Sequence, residues 1–127
     1  MEHQLDIRRV SRETLMSARD IFKENENQLE RYIDLLLEWN GKINLVSRSV
    51  SRETVREHVV HSLIPAALGL LDDFDSWIDT GSGGGLPGAP LAVVSPQKQF
   101  YLNDNVRKKM KAVADIIRRG NIRNAET

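Results

Sequence analysis

The sequence predicts an α/β fold in which a helical N-terminal segment precedes the first βαβα portion of a parallel sheet. Three observations carry this. Apolar residues recur at three- and four-residue steps from Ser11 to Leu63. Two short runs with strand character, Ser76–Asp79 and Gln99–Asp104, lie on either side of a glycine cluster. A further amphipathic pattern runs from Val106 to Arg119. The division falls near residue 75, giving 1–75 and 76–127, and a chain of 127 residues has room for one compact unit.

The first helical stretch carries Leu15, Ala18, Ile21 and Phe22, then Leu29, Ile33, Leu36 and Leu37, which reads as two amphipathic helices ending near Trp39. Ser11 and Ser51 both open the tetrapeptide Ser-Arg-Glu-Thr, and each reads as an N-cap whose hydroxyl accepts a backbone N–H. A third helix follows Ser51, with Val55, Val59 and Leu63 facing inward, until Pro65 ends or kinks it. Ser76-Trp77-Ile78-Asp79 starts a strand–turn–helix unit whose helix spans Pro87 to Val94 and is closed by Pro96. The last helix places Val106, Met110, Val113, Ala114 and Ile117 on one face and stops at Gly120.

Hydrophobic residues make up 40% of the chain and charged residues 28%, so a disordered or fibrous protein is excluded and a real core is expected. Without cysteine, neither a disulfide framework nor a thiolate metal site can be built. His58 and His61 share a helix face but have no third ligand in sight, so no metal site is expected. The start, Met1-Glu2-His3-Gln4, is polar, and the greasiest stretch, Ile64–Leu71, is broken by Pro65 and Gly69. This predicts a cytoplasmic protein without a membrane segment.

Net charge is zero, yet residues 1–78 carry ten Lys and Arg against fourteen Asp and Glu, and residues 79–127 carry eight against four. Arg107, Lys108, Lys109, Lys111, Arg118, Arg119 and Arg123 supply most of the second half's excess and form a candidate surface for an anionic partner. The competing reading is a solvated helix face.

The chemistry lies in Asp79-Thr80-Gly81-Ser82-Gly83-Gly84-Gly85-Leu86-Pro87-Gly88, where a strand's carboxyl end meets a helix N-terminus. Glycines there admit positive φ and let a ligand approach without meeting a Cβ. Gly83-x-Gly85-x-x-Gly88 also satisfies the dinucleotide pattern, which keeps a nicotinamide or flavin in view. Asp79, two residues before Gly81, has no task beside a pyrophosphate, whereas a carboxylate suits a zwitterionic, sulfonium-bearing ligand such as S-adenosylmethionine. Asp104 ends the second strand, where a carboxylate can accept both ribose hydroxyls of either ligand or serve simply as a turn residue.

Three segments taken together are more specific: Trp39-Asn40-x-x-x-Asn44-Leu45, Glu57-His58-x-x-His61-Ser62-Leu63, and Ile78-Asp79-Thr80 continuing through Gly88-Ala89-Pro90-Leu91. From Leu29 onward the chain resembles the bacterial 16S rRNA guanine-N7 methyltransferases, the RsmG or glucose-inhibited division protein B family. The resemblance implies a class I, Rossmann-like sheet that uses S-adenosylmethionine, acting on 16S rRNA or the small ribosomal subunit. It implies that Gly81 and Leu86 contact the cofactor, that Asp79, Gly83 and Gly85 shape the loop, and that Asp104 takes the ribose. His58 matches a family histidine, while His61 stands where the family usually has aspartate and Thr80 where it has an aliphatic residue.

On the same resemblance the chain is expected to be C-terminally truncated, leaving a two-strand parallel portion, with Asn124-Ala125-Glu126 at the entrance to a third strand. Two alternatives to an active enzyme of that specificity follow. One is a catalytically inactive RNA-binding or assembly fragment, and the other is a methyltransferase with a different substrate.

Overall fold

Caps, breakers and apolar stripes divide the chain into six helices and three strands among residues 10–127, which a computed structural model describes. The polar start at Met1–Gln4 lies outside the described residues. The helical part comprises α1 (Arg12–Glu24), α2 (Glu26–Asn40), α3 (Arg52–Ser62) and the one-turn α4 (Ile64–Ala67). After it come β1 (Ser76–Thr80), α5 (Gly88–Val94), β2 (Gln99–Asn103), α6 (Arg107–Arg119) and β3 (Ala125–Glu126).

Both serine caps form as the repeated tetrapeptide predicts: Ser11 Oγ accepts the Thr14 N–H and Ser51 Oγ the Thr54 N–H, each at 3.1 Å. Asn25 separates α1 from α2, and its side-chain amide donates to the Ile21 carbonyl at 2.9 Å, satisfying one of the orphan acceptors at the end of α1. Val55, Val59 and Leu63 are fully buried, as their spacing predicts. Pro65 sits in the first turn of α4, where its missing N–H has no intrahelical partner to lose.

Ion pairs lace the helices across their outer faces. Arg19 binds Glu57 with two hydrogen bonds of 2.7 and 2.9 Å, linking α1 to α3. Arg52 and Arg56 of α3 both reach Glu30 of α2, and Arg52 also pairs with Asp34 at 2.6 Å. These pairs are solvent-exposed and individually contribute little. The packed stripe of Leu29, Tyr32, Ile33 and Leu36 beneath them carries the stability.

The sheet has the order β1-β2-β3 with both pairings parallel. Trp77 pairs with Phe100, Ile78 with Tyr101, and Phe100 with Ala125. One face, with Phe100, Leu102 and Ala125, is buried against the helices. On the other face Ile78 is 70% exposed and Tyr101 40% exposed.

Two sequence expectations are corrected. The sheet has three strands, because the chain after α6 already pairs with β2: Phe100 donates its N–H to the Asn124 carbonyl at 2.8 Å. Asn124 Nδ2 lies within 2.8–2.9 Å of the carbonyls of Ala92, Ser95 and Lys98, and so fixes that chain against α5 and the loop leading to β2. The buried face of α6 is Ala112, Val113, Ile116 and Ile117, with Val106 and Ala114 exposed. Val106 is the N-cap in extended conformation and does not share the helical period, while α6 wedges between α2 and β3 and buries a face centred on Ala112 and Ile116.

No helix among the described residues is long and apolar enough to cross a membrane. Ser51→Ala removes the cap that starts α3, and we expect it to lower the unfolding free energy by about 1 kcal/mol. In urea titrations the midpoint should fall with the slope unchanged. An unchanged midpoint would show that Thr54 or solvent replaces the cap.

Candidate functional site

The turn from β1 to α5 is held at both ends by backbone bonds that fix its shape. The Asn103 carbonyl, at the end of β2, accepts the N–H groups of Gly81 and Ser82 at 2.7 and 3.0 Å. The Ser82 carbonyl in turn accepts those of Gly85 and Leu86 at 2.8 and 3.1 Å, and the Gly85 carbonyl accepts that of Ala89 at 2.7 Å, leading into α5. Gly81, Gly83 and Gly85 have φ of 74°, 55° and 99°, a region that side chains with a Cβ rarely adopt.

The glycines divide by what surrounds them. At Gly88 an added Cβ would stand 2.0 Å from Leu102 Cδ2 and 2.9 Å from Asp79 Oδ2, so this glycine lets α5 lie against β1 and β2. At Gly84 it would meet Leu36 Cδ1 at 2.7 Å and Leu45 Cβ at 3.3 Å, so the turn presses directly onto α2 and the loop after it. At Gly81 nothing among the described residues lies within 4 Å. Gly81 therefore borders open space on the side of the turn away from the core. Ser82 is buried, and its Oγ has no hydrogen-bond partner among the described residues.

Two carboxylates flank the turn. Asp79 is half-buried, and its Oδ2 accepts the Gly88 N–H at 2.9 Å, at the start of α5. Burial raises its pKa above the ordinary carboxylate range; the Gly88 N–H opposes this, and the charge of Asp104 adds to it. Asp104 accepts the Val106 N–H on Oδ1 and the Gly83 N–H on Oδ2, both at 2.9 Å. Those two bonds hold its pKa below the usual range. Asp104 thus acts as a turn residue before α6 and ties that turn to the glycine loop. Each oxygen keeps a lone pair for a further donor.

The structure brings Asp79, Gly81, Gly83, Gly85, Leu86 and Asp104 into one turn region at the carboxyl ends of β1 and β2. It separates the basic residues into two groups. Arg107, Lys108 and Lys111 are exposed on the first half of α6, and Lys109 is half-buried and near enough to Asp104 to lower its pKa. Arg118 and Arg119 instead pair with Asp115 at 2.6 and 3.2 Å, and Arg119 also with Glu38 at 2.9 Å. Asp115 further accepts the Trp39 indole N–H at 2.8 Å, so these arginines belong to the joint between α2 and α6. Arg123 is exposed and donates to Asn121. His58 and His61 are both solvent-facing.

Sequence reasoning did not assign Tyr32, Leu36, Asn40 or Leu45 to this region. Tyr32 is fully buried and donates its hydroxyl to the Gly84 carbonyl at 2.8 Å. Asn40 Oδ1 accepts the N–H groups of Leu45 and Val46 at 3.0 and 2.9 Å, and its Nδ2 donates to the Ser47 carbonyl at 3.0 Å. That clasp shapes the loop that sets Leu45 against Gly84. The signal was present in a lone tyrosine within an aliphatic stripe and in the Trp39-Asn40-x-x-x-Asn44-Leu45 segment, but spacing alone does not reveal what such residues touch.

Residues 25–127 match the family model described as rRNA small subunit methyltransferase G. Proteins of that name from Chlorobium phaeobacteroides and Chlorobium limicola are 44% and 40% identical to the chain, over 77% and 87% of its length. A third, from Flavobacterium psychrophilum, is 39% identical over 80% of the chain. These matches cover 44%, 51% and 48% of the relatives, so the chain spans about half the length of the curated relatives it matches.

The raised pKa of Asp79 makes a stability prediction. A carboxyl whose folded pKa lies above its unfolded value costs stability when ionised at neutral pH, and that cost disappears below the ordinary carboxylate pKa. Asp79→Asn keeps an oxygen for the Gly88 N–H and removes the charge. It should melt above the parent at neutral pH, with the gap closing as the pH falls into the carboxylate range. A lower melting temperature at neutral pH would mean that the ionised carboxylate stabilises the turn.

Proposed function

The chain belongs to the rRNA small subunit methyltransferase G family, and on that premise we propose that it binds S-adenosylmethionine and serves methyl transfer to guanine N7 of 16S ribosomal RNA. In this reading residues 1–75 are a helical segment, and residues 76–127 are the first portion of a Rossmann-like class I sheet. The protein works in the cytoplasm on the small ribosomal subunit or its RNA.

The observation that carries the cofactor assignment is the use of the turn's own donors. Asp79 occupies the Gly88 N–H at the start of α5, and the Gly83, Gly85 and Leu86 N–H groups bond to Asp104 and Ser82. A pyrophosphate needs free N–H groups and positive potential at a helix N-terminus, and here it would meet a carboxylate. A cationic, zwitterionic ligand fits that charge. The open space at Gly81 and the unpartnered, buried Ser82 hydroxyl also fit a ligand lying over the turn.

Gly81 and Leu86 would contact the cofactor and Asp104 its ribose, with Asp79, Gly83 and Gly85 keeping the turn in shape. S-adenosylmethionine supplies an electrophilic methyl group on a sulfonium. Guanine N7 offers an in-plane lone pair and carries no proton, so the protein needs no general base for the transfer. What its residues contribute is alignment of the reactants and exclusion of water. Arg107, Lys108, Lys109 and Lys111 provide the surface for RNA phosphates; Arg118 and Arg119 serve mainly the joint between α2 and α6.

Calorimetry with S-adenosylmethionine, S-adenosylhomocysteine and NADH tests the cofactor. Binding of the first two, lost in Gly81→Val with helical circular dichroism retained, is the expected result. Preferential binding of NADH would overturn the assignment, and RNA binding without either cofactor would make the chain an RNA-binding fragment. For the RNA surface, replacing Lys108, Lys109 and Lys111 by Gln should weaken 16S rRNA binding. The slope of log K against log salt should flatten by about 0.7–0.9 for each phosphate that is no longer neutralised, and cofactor affinity should not change. An unaltered slope would place the RNA surface elsewhere.

A further inference from the structure

We propose that Tyr32 is a positioning residue for the glycine loop, its buried hydroxyl fixing the Gly84–Gly85 peptide plane and so the shape of the turn at Gly81. The functional part of this inference rests on the cofactor reading above, and the structural part stands without it.

The Gly84 carbonyl and the Gly85 N–H belong to one planar peptide group. Tyr32 donates to the carbonyl at 2.8 Å, and the N–H donates to the Ser82 carbonyl at 2.8 Å in the opposite sense. The plane is therefore held at both ends, from α2 on one side and from within the turn on the other. Gly83, Gly84 and Gly85 have no Cβ to restrain it. Rotation of the plane would break the Gly85–Ser82 bond and carry the neighbouring Gly83 and Leu86 groups with it, loosening the segment that borders the space at Gly81.

Packing alone does not call for a hydroxyl at this position. Tyr32 sits fully buried among Leu29, Ile33 and Leu36, where phenylalanine would fill the same volume. A phenol buried there is costly unless bonded, and the buried Gly84 carbonyl is likewise costly without a donor. Burial, and after it the charge of Asp79, holds the phenol far above its ordinary pKa, so it stays a donor. The surrounding packing is shaped to bring the two together: an added Cβ at Gly85 would stand 3.4 Å from the Tyr32 hydroxyl, and at Gly84 only 2.7 Å from Leu36.

Tyr32→Phe removes the hydroxyl and keeps the ring. Val55→Ala, a truncation of a fully buried side chain in α3, serves as a control for general loss of stability. Hydrogen exchange in the ligand-free protein should quicken at the Gly85 and Leu86 amides in Tyr32→Phe, beyond any change in Val55→Ala once stability is matched. Calorimetry with S-adenosylhomocysteine should show about tenfold weaker binding for Tyr32→Phe and parental binding for the control, the scale expected from one unsatisfied buried acceptor. Equal loop exchange in the two variants would overturn the inference, as would parental cofactor affinity in Tyr32→Phe. If the parent itself binds no S-adenosylhomocysteine, the cofactor reading fails and the exchange comparison still decides the role of Tyr32.

Discussion

The close approach of the glycine turn to α2 on one side and to β2 on the other is the constraint from which the rest of the structure follows. Gly84 has no room for a side chain because Leu36 and Leu45 occupy it, and Gly88 has none because Leu102 and Asp79 do. Backbone packed this tightly must find partners for its polar groups nearby. Asn103, Ser82, Asp104, Asp79 and Tyr32 supply them from four different parts of the chain. The helical segment is thus one wall of the turn, and its sequence is constrained by the turn as much as by its own core.

Local surroundings decide the charges as well. Asp79 and Asp104 are both short acidic side chains at strand ends, yet their pKa values are displaced in opposite directions. Both are partly buried, but Asp79 has one backbone N–H partner, whereas Asp104 has two. On α6, a run that looks uniformly basic in sequence is split by Asp115. Its carboxylate collects Trp39, Arg118 and Arg119 into the contact with α2, and only the first half of the helix presents lysines without such partners among the described ion pairs.

Much of the architecture was legible in the sequence because it depends on local chemistry. The two Ser-Arg-Glu-Thr caps, the inward Val55, Val59 and Leu63, the strand–turn–helix around the glycines and the parallel second strand all follow from patterns a few residues long. What was not legible depends on distant partners. That Ala125 pairs with Phe100 required Asn124 to be clasped by three carbonyls more than twenty residues away. The inward face of α6 required knowing that α2 and β3 both press on it. Tyr32 reads as one more apolar position until the carbonyl of Gly84 is placed beside its hydroxyl. The glycines were recognisable as a group, but only their surroundings separate Gly81, which borders open space, from Gly84 and Gly88, which are filled by neighbours.

Among the described residues β1 lies at one end of the sheet, with no strand beside one row of its backbone N–H and C=O groups, and Ile78 stands exposed on the open face. An edge of this kind is a template for pairing with a further strand, from the same protein or from another copy. The segment that delivers the strand carries Asp72, Asp73 and Asp75, all exposed, immediately before Ser76. In a parallel, in-register pairing of two such edges these like charges would be brought together, and their repulsion works against that contact. Because that repulsion acts between exposed charges, it weakens as ionic strength rises.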